Sequence, residues 1–270
     1  MKDVTFGQYY PSGSVVHRMD ARVKILLMIA YIAAIFFISS YFGYALTALL
    51  ILALSLISKI PITKILKTVS RITVIVIITA LLNLLFIKDG KVLAHWWIFT
   101  ITDYGVNYAI MMALRLVFLV IGTSFLTLTT TPTELTDGLE SLMSPLKYVK
   151  IPVHDVAVIM SIALRFIPTL MEETQKIMNA QKARGASFDT GRLYQRAKAL
   201  LPVLIPLFVN SFRRADELAL ALDARCYNAT EHRTKYKVQK IRFRDVAGIL
   251  AIGCYLALVI VDRYVFMGLF

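Results

Sequence analysis

Charge is what this sequence has least of. Asp, Glu, Lys and Arg together make up 17% of its 270 residues, against about 25% in an ordinary soluble domain. The chain is 58% hydrophobic, and the apolar residues fall in blocks near the roughly 20 residues that cross a bilayer. A wholly soluble fold is thereby excluded. Cysteine is nearly absent. Cys226 lies in a polar, basic region and Cys254 in an apolar run, so the two fall on different sides of a lipid boundary and no disulfide framework follows. The histidines His17, His95, His154 and His232 are scattered singly, without the spacing of a metal site. There is no Gly-x-x-x-x-Gly-Lys-Ser/Thr loop, so the chain does not bind ATP by that route. No Ser–His–Asp set is visible by spacing. Glu172 and Glu173 are adjacent, and neighbouring helix positions point about 100° apart, which argues against a shared acid–base site.

What is present is a basic excess. The net charge is +13, from 30 Lys+Arg and 17 Asp+Glu. No nucleic-acid-binding signature accompanies it, and the aromatics sit inside apolar runs. The excess reads as the cationic loops that stay on the cytoplasmic side of a membrane. About twenty mostly polar residues, with Gly7, Pro11 and Gly13 among them, precede the first apolar run. That run is therefore expected to be a retained span and not a cleavable signal.

Five spans are expected: Val23 to Ser39, Gly43 to Ile57, Ile72 to Ile87, Gly105 to Leu128 and Val246 to Val261. His17, Arg18, Arg22 and Lys24 precede the first, the linker at Ser40–Phe42 is uncharged, and Lys59, Lys64, Lys67 and Arg71 follow the second. This alternation puts the N-terminus inside and the C-terminus outside. Span three exits at Lys88-Asp89-Gly90-Lys91, a turn signal. The stretch Val92–Thr102, with Trp96 and Trp97, reads as a short hairpin or re-entrant element at the outer surface. Arg115 lies within span four, either as a structural or snorkelling contact or as part of a transport path.

From Thr129 to Asp245 the character changes: 18 Lys+Arg and 12 Asp+Glu are interleaved with apolar patches. Thr131-Pro132-Thr133-Glu134 is a helix start, opening an amphipathic helix at the membrane surface that ends near Pro145 and Pro152. Two long helices follow, Val153 to Ala183 and Leu193 to Ala224, each about 45 Å long. Pro168 in the first, and Pro202 and Pro206 in the second, are expected to kink them. Counting these helices as extra spans gives seven crossings in place of five, with the same end sidedness. The basic stretch Arg233–Arg244 leads to the last span.

One feature recurs. The first long helix ends in Ala183-Arg184-Gly185 and the second in Ala224-Arg225-Cys226. An arginine in a last turn complements the helix dipole and a glycine caps the end, which needs no further function. Alternatively, small neighbours let a partner's backbone approach while the guanidinium makes planar, paired bonds to a carboxylate.

With these residues in view, the chain resembles the EcfT/CbiQ transmembrane components of energy-coupling-factor (ECF) transporters over nearly its whole length. The resemblance includes Gln8 to Lys24, with Pro11 and the run His17-Arg18-Met19-Asp20-Ala21-Arg22-Val23-Lys24. It is densest from Thr130 to Phe188, in Ser161–Leu170 and then Gln181-Lys182-Ala183-Arg184-Gly185. The resemblance implies an all-α integral membrane fold of about five transmembrane helices and a cytoplasmic-side coupling domain with two long kinked helices. It implies residues 1–128 as spans one to four, 129–245 as the coupling domain and 246–270 as the last span. It further implies that Ala183, Arg184 and Gly185, and Ala224, Arg225 and Cys226, dock into two ABC-type ATPase subunits. ATP is then bound by those partners, with no cofactor here. The apolar parts of the coupling domain face a membrane-embedded substrate-binding S component, for uptake of vitamins or metal ions. Cys226 departs from the glycine common at its position and gives up glycine's backbone freedom. Two other classes remain distinguishable by experiment: an intramembrane lipid-modifying enzyme using Glu172, Glu173, His154 and Asp155, and an ATP-independent transporter or channel.

Overall fold

The computed structural model describes residues 9–96, 99–145, 152–186, 188, 193–227 and 242–267. The expected basic stretch from Arg233 lies mostly outside them, as do Gln8 and Trp97. Among the described residues eight helices are formed: α1 (Ala21–Phe37), α2 (Tyr41–Ser58), α3 (Ile62–Phe86), α4 (Asp103–Thr129), α5 (Pro132–Leu142), α6 (Val153–Ala183), α7 (Leu193–Ala224) and α8 (Phe243–Met267). Between α3 and α4 lies an antiparallel pair, β1 (Val92–Trp96) and β2 (Phe99–Thr102). The backbone thus resolves Val92–Thr102 as a hairpin and not a re-entrant element. Contacts divide the elements into two units, α1–α5 with α8 in one and α6 with α7 in the other. The helix α5, assigned by sequence to the coupling stretch, packs in the first unit. Gly138 meets Ala21 and Ile25 of α1 so closely that a β-carbon there would stand 3.1 Å from Ala21 Cβ.

Among the described residues five helices are long and apolar enough to cross a membrane: α2, α3, α4, α6 and α8. The protein is an all-α, multi-pass membrane protein. The set differs from the five expected spans at α6, which enters the sequence count only in the seven-crossing alternative. Its charges concentrate beyond Glu172, so the part before them is apolar enough for a span. The 17 residues of α1 rise only about 26 Å, at the short limit for a span. Its expected role as span one rests on the company it keeps: Tyr31, Ala34, Ile35 and Ile38 form a buried cluster with Tyr44 of α2 and with Tyr255 and Val259 of α8. Within that cluster two of the three phenols are paired, those of Tyr31 and Tyr255. Tyr31 Oη donates to Phe118 O at 2.8 Å, and Tyr255 Oη lies 2.8 Å from Thr47 Oγ1. Such pairing is what a hydroxyl needs where water is absent. By contrast, the one buried residue in α3 is Ile65, and the helix packs on α4 while presenting Val74, Ile77 and Leu81 outward, as a lipid-facing helix does.

The first unit has two distinct ends. At one, Thr102 Oγ1 accepts from Gly105 N at 3.1 Å to cap α4 and donates to Ile87 O at 3.3 Å, joining the end of α3 to the start of α4 beside the hairpin. Ser40 donates to Asp262, and Arg115 Nη2 donates to Ile38 O at 3.0 Å. Of the two readings open for Arg115, this contact to a carbonyl at the end of α1 supports the structural one. At the other end, the segment from Tyr9 to Asp20 crosses the helix termini and satisfies their free carbonyls. Ser12 Oγ donates to Ser58 O at 2.7 Å, and Tyr10 N donates to Leu128 O at 2.9 Å. Asp20 caps α1 through Arg22 N, and the buried Asp245 accepts from Asp20 N at 2.9 Å and Arg242 N at 2.7 Å. The starts of α1 and α8 are thereby held together. His17 sits in this layer with Nδ1 2.7 Å from Ser14 Oγ, and burial, then the nearby Lys24 ammonium, lower its pKa.

The Lys24 side chain is buried, and its Nζ donates to His17 O at 3.1 Å, Thr129 O at 3.0 Å and Thr130 Oγ1 at 3.2 Å. Three donors meet three acceptors on two segments. Lys24→Met keeps the length and removes all three bonds. The stranded acceptors are expected to cost about 1–3 kcal/mol, read as a fall in the thermal midpoint of the detergent-solubilised chain; an unchanged midpoint would show the ammonium is not a tie. A second substitution tests the membrane core. A β-carbon at Gly122 would stand 1.9 Å from Tyr31 Cε1, whereas one at Gly253 meets nothing within 4 Å. Gly122→Ala is expected to destabilise by about 1–3 kcal/mol while Gly253→Ala leaves the midpoint in place; equal effects would refute the close approach of α4 to α1.

Candidate functional site

The second unit is a pair of helices of 31 and 32 residues, α6 and α7. Each runs continuously through its prolines: Pro168 in α6, and Pro202 and Pro206 in α7. A proline deprives the carbonyl four residues earlier of its partner, here Leu164, Lys198 and Pro202. The helices tolerate these losses because most of their remaining turns keep their bonds. In each helix an apolar stretch gives way to a polar one. On α7 the exposed Leu201, Ile205, Phe208 and Phe212 recur at helical spacing along one face. On α6, Val156, Ile159 and Met160 are likewise exposed.

Where apolar gives way to polar, the two helices are clasped. Arg214 Nη2 of α7 lies 2.7 Å from Glu173 Oε2 of α6, and Asn210 Nδ2 donates to the other oxygen of the same carboxylate. The Glu173 side chain is 16% exposed, so the pair is partly withdrawn from solvent and less screened than a fully exposed one. This clasp was not identified from sequence, where Glu173 figured only as one half of an adjacent acidic pair. A signal was nonetheless there. Arg184 follows Glu173 by eleven residues, and Arg225 follows Arg214 by eleven. Eleven residues are about three turns and some 16 Å. The two arms beyond the clasp are therefore equal in length, and each arginine returns to nearly the angular position of the clasp residue above it.

The two arms end alike. In α6 the Ala186 N–H bonds Gln181 O at 3.0 Å and the Gly185 N–H bonds Lys182 O at 3.0 Å. In α7 the Tyr227 N–H bonds Leu222 O at 2.9 Å and the Cys226 N–H bonds Asp223 O at 2.9 Å. Both patterns are Schellman closures. Ala183 and Ala224 are the last helical residues, Arg184 and Arg225 follow them, and Gly185 and Cys226 take the left-handed position with φ of 89° and 55°. Cys226 thus adopts the conformation expected of a glycine, although a β-carbon disfavours it by about 1–2 kcal/mol. All six residues are exposed. The carbonyls that an arginine would otherwise cap are closed by backbone amides. Among the described residues neither guanidinium has an ion-pair partner.

Comparison with known proteins identifies the family. The family profile "CbiQ: Cobalt transport protein" matches residues 12–236. The energy-coupling factor transporter transmembrane protein EcfT of Thermosediminibacter oceani is 46% identical over 265 residues, covering 98% of this chain and 100% of that one. The protein of the same name from Clostridium kluyveri is 49% identical over 264 residues, 97% of this chain and 96% of its own length. That from Bacillus subtilis is 42% identical over 252 residues, 93% and 95% of the two chains. With identity of this order along both chains, and with a helical membrane fold on the page, the chain belongs to the EcfT/CbiQ family, the transmembrane (T) components of ECF transporters.

Proposed function

We propose that this T component couples two ABC-type ATPase subunits to a membrane-embedded S component, with Arg184 and Arg225 as the docking side chains. The observation that carries the reading is the equivalence of the two helix ends. Each presents alanine, arginine and a left-handed residue beyond a closed helix terminus, and each lies the same distance from the Glu173–Arg214 clasp. Because backbone amides close the termini, helix capping does not require the guanidiniums, which are exposed and able to enter an acidic groove as planar, paired donors. Two equal arms suit two similar partners.

The exposed apolar stripes on α6 and α7 are the surfaces offered to the S component, and Pro168, Pro202 and Pro206 shape the helices that carry them. Substrate, a vitamin or a metal ion, is selected by that partner. ATP is bound and hydrolysed by the ATPases, and this chain performs no catalysis and needs no cofactor. The end of the first unit bearing Lys24, Lys59 and Lys64 faces the cytoplasm, and α8 leaves the C-terminus outside. An intramembrane enzyme built on Glu172 and Glu173 is disfavoured, since the Glu173 carboxylate is engaged by Arg214 and Asn210.

Co-purification from membranes in mild detergent tests the docking. The wild-type chain is expected to bring down two ATPase chains, and Arg184→Glu/Arg225→Glu to lose them, since breaking a charge pair at an interface costs about 2–5 kcal/mol. Full retention by the double variant would show that docking does not run through the arginines. A second measurement probes the Cys226 terminus. Cys226→Gly relieves the left-handed strain and is expected to stabilise the end of α7 by up to about 1 kcal/mol. This would register as slower hydrogen exchange at the Cys226 and Tyr227 amides with ATPase binding retained. Faster exchange would contradict the closure described.

A further inference from the structure

The turn from α2 to α3 gathers cations with nothing to neutralise them. Between Asp20 and Asp89 the sequence has no Asp or Glu, while Lys59, Lys64, Lys67 and Arg71 follow one another across the turn and into α3. All four are exposed. Among the described residues none of them has a carboxylate at ion-pair distance. Lys64 Nζ stands 4.0 Å from the centroid of the Tyr10 ring, a contact that positions the ammonium while leaving its N–H donors unspent. Lys59 takes a left-handed φ of 54°, where glycine would be accommodated more readily. Beside these residues is a hollow of about 420 Å³, lined among others by Tyr10, Ser55, Lys59, Ile60 and Thr63. Pro61 at the start of α3 offers no side-chain cap and the first turn carries no acid, so the positive end of the helix dipole adds to the field.

What lies further along α3 decides the occupant. Lys64, Lys67 and Arg71 share a helix face, and the same face continues, at spacings of four and three, through Ile75, Ile78 and Leu82. Those three are exposed and lie in a helix apolar enough to span the membrane. A cationic patch that passes directly into a lipid-facing apolar stripe matches a molecule with an anionic head and hydrocarbon tails. A free anion would leave the stripe unused.

We propose that this turn is a binding surface for an anionic phospholipid. Lys59, Lys64 and Lys67 hold the headgroup phosphate, and the acyl chains lie along Ile75, Ile78 and Leu82. The proposal applies in whichever leaflet the turn meets, so it stands or falls independently of the ATPase docking.

The test uses the full chain, purified in dodecyl maltoside, stripped of lipid and supplied with equal amounts of dioleoyl phosphatidylglycerol and dioleoyl phosphatidylcholine. Retained lipid is counted by native mass spectrometry. Phosphatidylglycerol is expected to be retained about tenfold over phosphatidylcholine, and Lys59→Gln/Lys64→Gln/Lys67→Gln to bring the ratio near one, as loss of three interfacial cations implies. Replacing the same three lysines by arginine should restore the preference. Lys88→Gln/Lys91→Gln, at the other end of α3, should leave it intact and controls for overall charge. Equal retention of the two lipids by the wild type would overturn the proposal, as would an equal loss in the control pair. Displacement of the lipid by inorganic phosphate beyond that by chloride at matched ionic strength would overturn it in favour of a free-anion site.

Discussion

The membrane unit depends on one buried cation. Lys24 lies in the first turn of α1, and its Nζ is spent on two backbone carbonyls and a hydroxyl from the segment before α1 and from the end of α4. Helix ends are where a membrane fold is weakest, because each leaves carbonyls or amides without partners where water is scarce. Here the ends of α2 and α4 and the starts of α1 and α8 meet at the same level, and one short segment serves all of them. Ser12 serves α2, Tyr10 and Lys24 serve α4, and Asp20 with Asp245 serves α1 and α8. The polar, helix-poor stretch before the first span is thus a structural member of the fold.

How much of this was legible in the sequence depends on what carries each feature. The long helices α6 and α7 were readable to the residue, because Pro152 and Gly185 bound the first and a change from apolar to basic bounds the second. The start of α3 was not. Its apolar run opens at Ile72, but the helix begins at Ile62, because Lys64, Lys67 and Arg71 are good helix formers that hydropathy counts against a span. The polar ties were illegible for another reason. Asp20 and Asp245 are 225 positions apart and Lys24 and Thr130 are 106 apart, and a single sequence holds no periodicity that joins such pairs. The partners of Glu173 are illegible for the same reason, since Asn210 lies 37 positions away.

The unit of α6 and α7 gains its meaning from proportion. A helix transmits displacement well along its axis, and two helices transmit it as one body only if they are fastened. In α6 and α7 the fastening is a carboxylate shared by a guanidinium and an amide at the boundary between apolar and polar surface. Buried ion pairs contribute little net stability but tolerate misalignment poorly. Such a joint therefore selects one register of the two helices over others. With eleven residues from joint to arginine on both sides, a fixed register also fixes where the two arginines stand relative to one another. On the proposed reading that separation is what two ATPase subunits must match.

Two residues other than glycine hold left-handed backbones among the described residues, Lys59 and Cys226. Each sits at the closure of a helix terminus. At Cys226 the hydrogen-bond pattern is that of Gly185, so the closure to Leu222 and Asp223 forms without the freedom of a glycine. The bonds, and the arginine placed just before the turn, matter more than the identity of the third residue. At Lys59 the reverse holds. The Ile60 N–H bonds Ser55 O in the same kind of closure, which glycine would complete with less strain, yet a long cation stands there. Strain kept at a site where a simpler residue would serve argues that the side chain has work outside the fold. The uncompensated charge around the α2–α3 turn indicates that this work lies at the lipid headgroups.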